Sequence, residues 1–348
     1  MDRDLPEIKN DSDRLEEKKF RIALVVPVKN ESKSIQLLLD SIDKQTRLPD
    51  EVIFVDGGSF DSTPDILEKY CRHHKHAQVL RLKEALPGEG RNAGVKASTS
   101  EVIVFTDAGV QLDPQWFDEI TRPMREDPTI DVVYGDFEPV IDTWFKECSA
   151  VAYVSPPELV ADGKRMRHHS IASCAVKRRV WEAVGGFSPL RSGEDLLFMD
   201  RIRLLGFREA FAPNARLKWD IPDNYRGVFN RFRLYAKWGI IAGKAATWHR
   251  KVFSYYVFAL IGALVLFLMY PLYTATPFIV QNILRTLRQV VRSKHFNWIY
   301  TFRLDRIMCV AAVIFMVDVA TFVGTLDWFR DRKIGKSRSC VGNFWASL

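Results

Sequence analysis

Apolar and polar positions follow two regimes along the chain. After a polar start, short runs rich in β-branched residues alternate with segments of helical periodicity. Phe20-Arg-Ile-Ala-Leu-Val-Val-Pro27 is apolar at nearly every position, the pattern of a parallel strand covered on both faces. Asn30-Glu-Ser then opens a helix in which Ile35, Leu38, Leu39 and Ile42 share one side, and Leu48-Pro49 ends it. Glu51-Val-Ile-Phe-Val55 reads as the second strand, and Ser62-Thr-Pro-Asp65 starts the next helix with capping residues and an early proline. Ala77 to Leu82 is a third strand, a Gly-rich turn leads to a helix from about Arg91 to Ala97, and Glu101-Val-Ile-Val-Phe105 is a fourth strand. This alternation predicts an α/β domain with right-handed crossovers, whose ligands gather at the carboxyl ends of the strands.

Past Asp131 the regularity weakens. Val132-Val-Tyr134 is one strand, the stretch from Trp144 to Arg167 is irregular, and an acceptor-facing half of the domain is expected there. Glu194 opens an amphipathic helix that Gly206 closes. Residues 226–251 carry seven Lys or Arg and no acid, interleaved with Phe229, Phe232, Tyr235 and Trp238, a composition suited to an anionic membrane surface. Val252 to Val280 follows, 29 residues without a charge, more than the roughly 20 that cross a bilayer. A second apolar run, Ile307 to Leu326, holds one charge, Asp318, which is expected to face a neighbouring helix rather than lipid.

The expected organisation is a polar tail (1–19), an α/β domain (20–225), a basic-aromatic juxtamembrane segment (226–251), a membrane region (252–326, with spans at about 252–275 and 307–326) and a basic tail (327–348). Residues 281–306 hold six bases against one acid, which by counting belongs on the inner side. A complete first crossing puts that loop outside, and the two basic flanks together outweigh it. A re-entrant first segment removes the conflict. The run from Met1 to Lys19 has no apolar core, so no signal peptide is expected, and the α/β domain is expected to be cytosolic on a cell-membrane protein with a hairpin or multiple passes.

Composition narrows the chemistry. At 348 residues the chain exceeds one ordinary core, and 47% hydrophobic with 27% charged residues describes a globular protein with an apolar end. The net charge of +7 adjoins the apolar runs rather than a groove-reading element, so no nucleic-acid partner is expected. Five scattered cysteines without a CxxC pair speak against a disulfide framework or a zinc site. His73, His74 and His76, like His168 and His169, lack ligand spacing and read as surface residues. No P-loop is present, so ATP hydrolysis is unsupported.

Acidic or Gly-rich turns end four successive strands, which points to one shared cleft. Val26-Pro-Val-Lys-Asn-Glu31, Val55-Asp-Gly-Gly-Ser59, Gly88-Glu-Gly-Arg-Asn-Ala-Gly94, Phe105-Thr-Asp-Ala-Gly109, Val184-Gly-Gly-Phe187 and Gly193-Glu-Asp195 stand in this order. In these motifs the run from Ile22 to about Gly239 resembles a family 2 glycosyltransferase. The resemblance implies a GT-A fold, a Rossmann-like nucleotide-diphospho-sugar transferase domain, here followed by C-terminal transmembrane helices. It also implies a nucleotide-sugar donor, UDP-sugar favoured, and a lipid-linked or glycan acceptor.

By the same resemblance Pro27, Asn30 and Glu31 line the nucleotide pocket, and Asp56 accepts a hydrogen bond from the base. Arg91 and Asn92 approach the diphosphate or nucleoside, where a helix start favours anions. Asp107 holds the first position of a metal-binding DxD motif whose third position is Gly109. A divalent cation, Mg²⁺ or Mn²⁺, is then expected on Asp107 with phosphate oxygens and water, or with Asp113 added, although Asp113-Pro-Gln-Trp reads better as a helix cap. Asp195 is the implied catalytic base of an inverting displacement, and Glu194 orients it. Gly185, Gly186 and Phe187 are implied to shape the acceptor pocket. Arg231, Tyr235, Lys237 and Trp238 either close over the donor or form an interfacial helix. The alternatives are a nucleotidyltransferase, which lacks its Gly-rich phosphate loop after the first strand, and a catalytically weak nucleotide-sugar-binding membrane adaptor.

Overall fold

The computed structural model describes residues 20–161, 163–293 and 303–333. Its order begins β1 (Ile22–Val28), α1 (Ile35–Asp43), β2 (Glu51–Asp56), α2 (Thr63–His73), β3 (Ala77–Arg81), α3 (Pro87–Ala97) and β4 (Val102–Phe105). Next come β5 (Val110–Leu112), α4 (Trp116–Glu126), β6 (Val132–Pro139), α5 (Trp144–Tyr153), β7 (Leu159–Ala161) and β8 (Lys164–Met166). Then follow β9 (Cys174–Lys177), α6 (Arg178–Ala183), α7 (Glu194–Leu204) and β10 (Glu209–Trp219).

Eight strands form one sheet in the order β3-β2-β1-β4-β9-β6-β10-β5. The first four are parallel, β9 runs antiparallel between β4 and β6, and β5 closes the edge antiparallel to β10. Both faces are covered, which is why β1 is apolar throughout. Leu24 and Val26 pack under α1, α2 and α4, while Ala23 and Val25 pack under α3 and α7.

Three differences from the sequence reading stand out. Helix α3 begins at Pro87, so Gly88 and Gly90 lie inside it rather than ahead of it, and Arg91 and Asn92 stand a turn in rather than at its start; Pro87 supplies the first turn and the Glu89 carboxylate accepts from the Leu86 N–H at 2.8 Å. The irregular stretch from Trp144 contains α5 and the β7–β8 hairpin. Strand β10, interrupted by Pro213 and Asn214, pairs with β6 through a register shift between Ala212 and Arg216.

The basic-aromatic segment forms α8 (Tyr225–Ile241), ends at Gly243 and continues into α9 (Ala245–Met269). Helix α10 (Thr276–Arg292) returns along α9, and α11 (Leu304–Lys333) follows. Only α9 and α11 are long and apolar enough to cross a membrane among the described residues. Asp318 meets helix neighbours, as expected: it accepts from the Arg285 guanidinium at 2.9 Å and from the Tyr256 hydroxyl at 3.0 Å. Phe145, Val228, Phe232, Val310 and Val313 join α5, α8 and α11 in a third apolar cluster.

Candidate active site

The loops at the carboxyl ends of β1, β2 and β4 meet the start of α7 around a hollow of about 1030 Å³. Asn30 adopts a left-handed φ of 58°, which asparagine tolerates better than most residues. Its backbone donates to the Ser59 hydroxyl at 2.8 Å and its side-chain oxygen accepts from the Phe60 N–H at 3.0 Å. Asp56 is buried and accepts from the Ser59 N–H at 3.0 Å. Asn30 and Asp56 therefore brace two loops against each other, while Pro27, Asn30, Glu31, Val55 and Gly57 line the hollow.

Arg91 stands at the centre. Its guanidinium donates to Glu194 at 2.8 Å and to Asp107 at 2.7 Å, and it is 4% exposed. Burial opposes its charge, but the carboxylates of Asp107, Glu194 and Asp195 outweigh that and raise its pKa. Gly193, at a φ of 86° that favours glycine, turns the chain so that Glu194 and Asp195 open α7. Burial raises both carboxyls above the ordinary carboxylate range, and Arg91 pulls each back down. Asp107, Glu194 and Asp195 all line the one hollow, although 87 residues of chain or more separate the first from the others.

Asn92 faces elsewhere. Its side chain donates to the Phe187 carbonyl at 2.8 Å and accepts from the Trp181 indole at 2.9 Å and the Phe187 N–H at 2.8 Å. It pins the Gly185-Gly186-Phe187 loop and is not among the residues lining the hollow. Asp113 likewise turns away, accepting from the Gln115 N–H at 3.3 Å ahead of α4. His74 stacks on Tyr70 and pairs with Asp43 at 3.1 Å, and half-buried His169 packs on Tyr134. Neither histidine lines the hollow.

No group of three metal-ligating side chains occurs among the described residues. The departure from the DxD pattern is nonetheless offset. A β-carbon on Gly109 would lie 3.8 Å from the Glu31 carboxylate, so an acid does stand beside the motif's third position. Burial raises Glu31, the Ser34 hydroxyl opposes that, and Asp107 adds repulsion that a cation between the two acids would relieve. Asp107 and Glu31 thus fit a divalent ion completed by diphosphate oxygens and water.

The far wall comes from helices the sequence marked only as basic and aromatic. Asn230, Arg231, Leu234, Tyr235 and Gly239 of α8 face the hollow, whereas Lys237 turns away to pair with Asp331 and Trp238 is not in the lining. Arg231 stacks over the Trp219 ring at 5.1 Å. Lys244, paired with Asp200, and Thr247, Trp248 and His249 extend the lining to the first turns of α9. These last four carry no motif of their own, and only the basic-aromatic density before Val252 hinted at them; Arg191 and Trp219, which also line the hollow, had no signal in the sequence.

Comparison with known proteins agrees with this architecture. The family described as Glycosyl transferase family 2 matches residues 23–185. The putative glycosyltransferase EpsH of Bacillus subtilis is 32% identical over 101 residues, 29% of each chain. An undecaprenyl-phosphate 4-deoxy-4-formamido-L-arabinose transferase of Serratia proteamaculans is 27% identical over 169 residues, 47% of this chain and 51% of its own. The matched part thus spans between about a third and a half of these relatives. The mannosyltransferase PcManGT of Pyrobaculum calidifontis, solved with GDP-Man and Mn²⁺, superposes with a TM-score of 0.53 over 87% of both chains at 17% identity, which establishes the shared GT-A fold. On its motifs, its sheet and this match, residues 23–185 form a glycosyltransferase family 2 domain.

Proposed function

We propose that the protein is an inverting hexosyltransferase that moves a sugar from a nucleoside diphosphate sugar, UDP-sugar favoured, to a lipid-linked acceptor at a membrane surface. The carrying observation is the shape of the hollow: one end is made by the strand-end loops and Arg91, the other by the first turns of apolar helix α9. The Serratia relative's undecaprenyl-phosphate substrate and the GDP-Man and Mn²⁺ of PcManGT support this reading.

Each part has a task. Pro27, Asn30, Glu31 and the Asp56 turn receive the nucleoside. Asp195 takes the proton from the acceptor oxygen as that oxygen attacks the anomeric carbon, and the bond from that carbon to the diphosphate breaks on the opposite side. Glu194 and Arg91 hold Asp195's surroundings fixed, so that the base is poised rather than searching. Arg231, with a buried guanidinium nitrogen that makes no hydrogen bond, and Tyr235 face the departing diphosphate. When bound between Asp107 and Glu31, a divalent cation supplies charge neutralisation for that diphosphate. Asn92 acts at one remove, by setting the Gly185-Gly186-Phe187 loop.

The test uses the full chain in detergent with a panel of UDP- and GDP-sugars, Mn²⁺ and extracted membrane lipid, the products being weighed by mass spectrometry. One donor should yield a glycosylated lipid. Asp195→Asn should slow transfer by about 10²–10⁴-fold with donor affinity unchanged. An Asp195→Asn variant as fast as the parent removes the assigned base.

A further inference from the structure

The C-terminal helices touch the catalytic domain at places that a chain crossing a bilayer twice would not allow. Helix α9 starts beside Lys244, which is paired with Asp200 of α7. At the far end of α10, Arg292 meets Glu158, just before β7, at 2.7 Å. At the start of α11, Arg306 pairs with Glu147 of α5. Residues 292 and 306 therefore both sit on the catalytic domain. Had α9 crossed without return, they would lie beyond a hydrocarbon layer about 30 Å thick. The expectation that residues 281–306 form an outer loop conflicts with the contacts of Arg292 and Arg306.

Helix α11 is also held along its length. The Tyr225 hydroxyl and the Cys309 thiol are 3.6 Å apart near its start. Arg233 of α8 bonds Asp327 at 2.5 Å, and Lys237 pairs with Asp331 near its end. The opposite side of α8 walls the hollow, so α8 stays at the catalytic domain and α11 stays with it. Of the most apolar part of α11, 44% is buried within the protein, against 17% for α9.

The α9–α10 hairpin is different. Asp318 ties both legs to α11 through Tyr256 and Arg285. Beyond that layer α9 rises about 20 Å to Met269 and α10 returns about 14 Å from Thr276, roughly the depth of one leaflet. Phe258, Leu268 and Leu272 are 72%, 77% and 97% exposed there, with no charge between Val252 and Val280. At its base Arg250, Lys251 and Arg288 offer charge suited to anionic headgroups.

We propose that α9 and α10 dip into the single leaflet facing the catalytic domain and return to it, while α11 lies along the protein surface without crossing. This deepens the membrane reading above and rests on it. The positive charge of residues 281–306 then falls on the catalytic side, where counting placed it.

Leu272→Cys, Arg288→Cys and Arg330→Cys, made one at a time, test this in full-length protein carrying Cys71→Ser and Cys340→Ser, in which the native Cys148, Cys174 and Cys309 are buried, in vesicles of defined orientation treated with a membrane-impermeant maleimide; the parent without an added cysteine sets the background. The variants at 288 and 330 should label only from the face that carries the catalytic domain. The variant at 272 should label from neither face until detergent is added. Labelling of any of the three from the opposite face overturns the single-sided arrangement. Recovery of the chain in the soluble fraction, away from vesicles, overturns the membrane reading itself; nucleotide-sugar turnover by the same variants shows that they are folded in either case.

Discussion

Arg91 sets the electrical state of the acids around it. Burial raises Asp195 and Glu194, and the guanidinium restrains the rise. A base works only when ionised, so a raised carboxyl loses activity earlier as pH falls. The acid limb of the kcat/KM profile should therefore lie above the ordinary Asp value of about 3.9. Arg91→Met removes the restraining charge and should move that limb to still higher pH, whereas a limb that stays put means that Arg91 does not act on the base. Asp107, Glu194 and Asp195 were legible in the sequence because each ends a strand or opens a helix. The reach of Arg91 was not, since Pro87-Gly88-Glu89-Gly90 reads as a turn until the Glu89 cap places the arginine a full turn inside α3. Glu31 was visible as a pocket residue, but its approach to Gly109 depends on two loops meeting.

At the level of elements, β1, β2 and β4 announced themselves through unbroken apolar runs, while β5, β9 and β10 did not. They are short or interrupted, and they are defined by partners far away in sequence. Apolar periodicity also cannot separate a bilayer span from a helix packed on protein, so the surface placement proposed for α11 rests on its contacts and not on its sequence. Its contact with α8 is close: a β-carbon on Gly324 would stand 2.3 Å from the Arg233 carbonyl oxygen. Gly324→Val should cost about 1–3 kcal/mol by overpacking and should slow transfer by displacing Arg231 and Tyr235, readable as a lower Tm and a lower kcat. Unchanged stability in that variant contradicts the packing. The same contact means that a cut at the boundary after residue 251 would strip α11 from Val228 and Phe232 and leave their apolar side bare.

For the molecule as a whole, the proposed attachment rests on the far end of the α9–α10 hairpin, away from the residues that line the hollow. Leu268→Lys with Leu272→Lys puts two charges at the exposed end of the hairpin, each costing about 2.5–3.5 kcal/mol at the bilayer centre by insertion scales. The double variant should move from the membrane to the soluble fraction in flotation assays and keep its affinity for the nucleotide-sugar, since neither residue lines the hollow. Loss of donor affinity in step with release shows that the hairpin shapes the donor site.

Thr247, Trp248 and His249 belong at once to the wall of the hollow and to the first turns of α9, so the insertion proposed for that helix would also fix the orientation of the site. A freely tumbling catalyst meets its substrate from every direction in a volume. Under the proposed insertion this one would be held upright with its opening at headgroup height, so its encounters with the proposed lipid-borne acceptor would take place in a plane, and its rate would follow the surface density of that lipid rather than its bulk concentration.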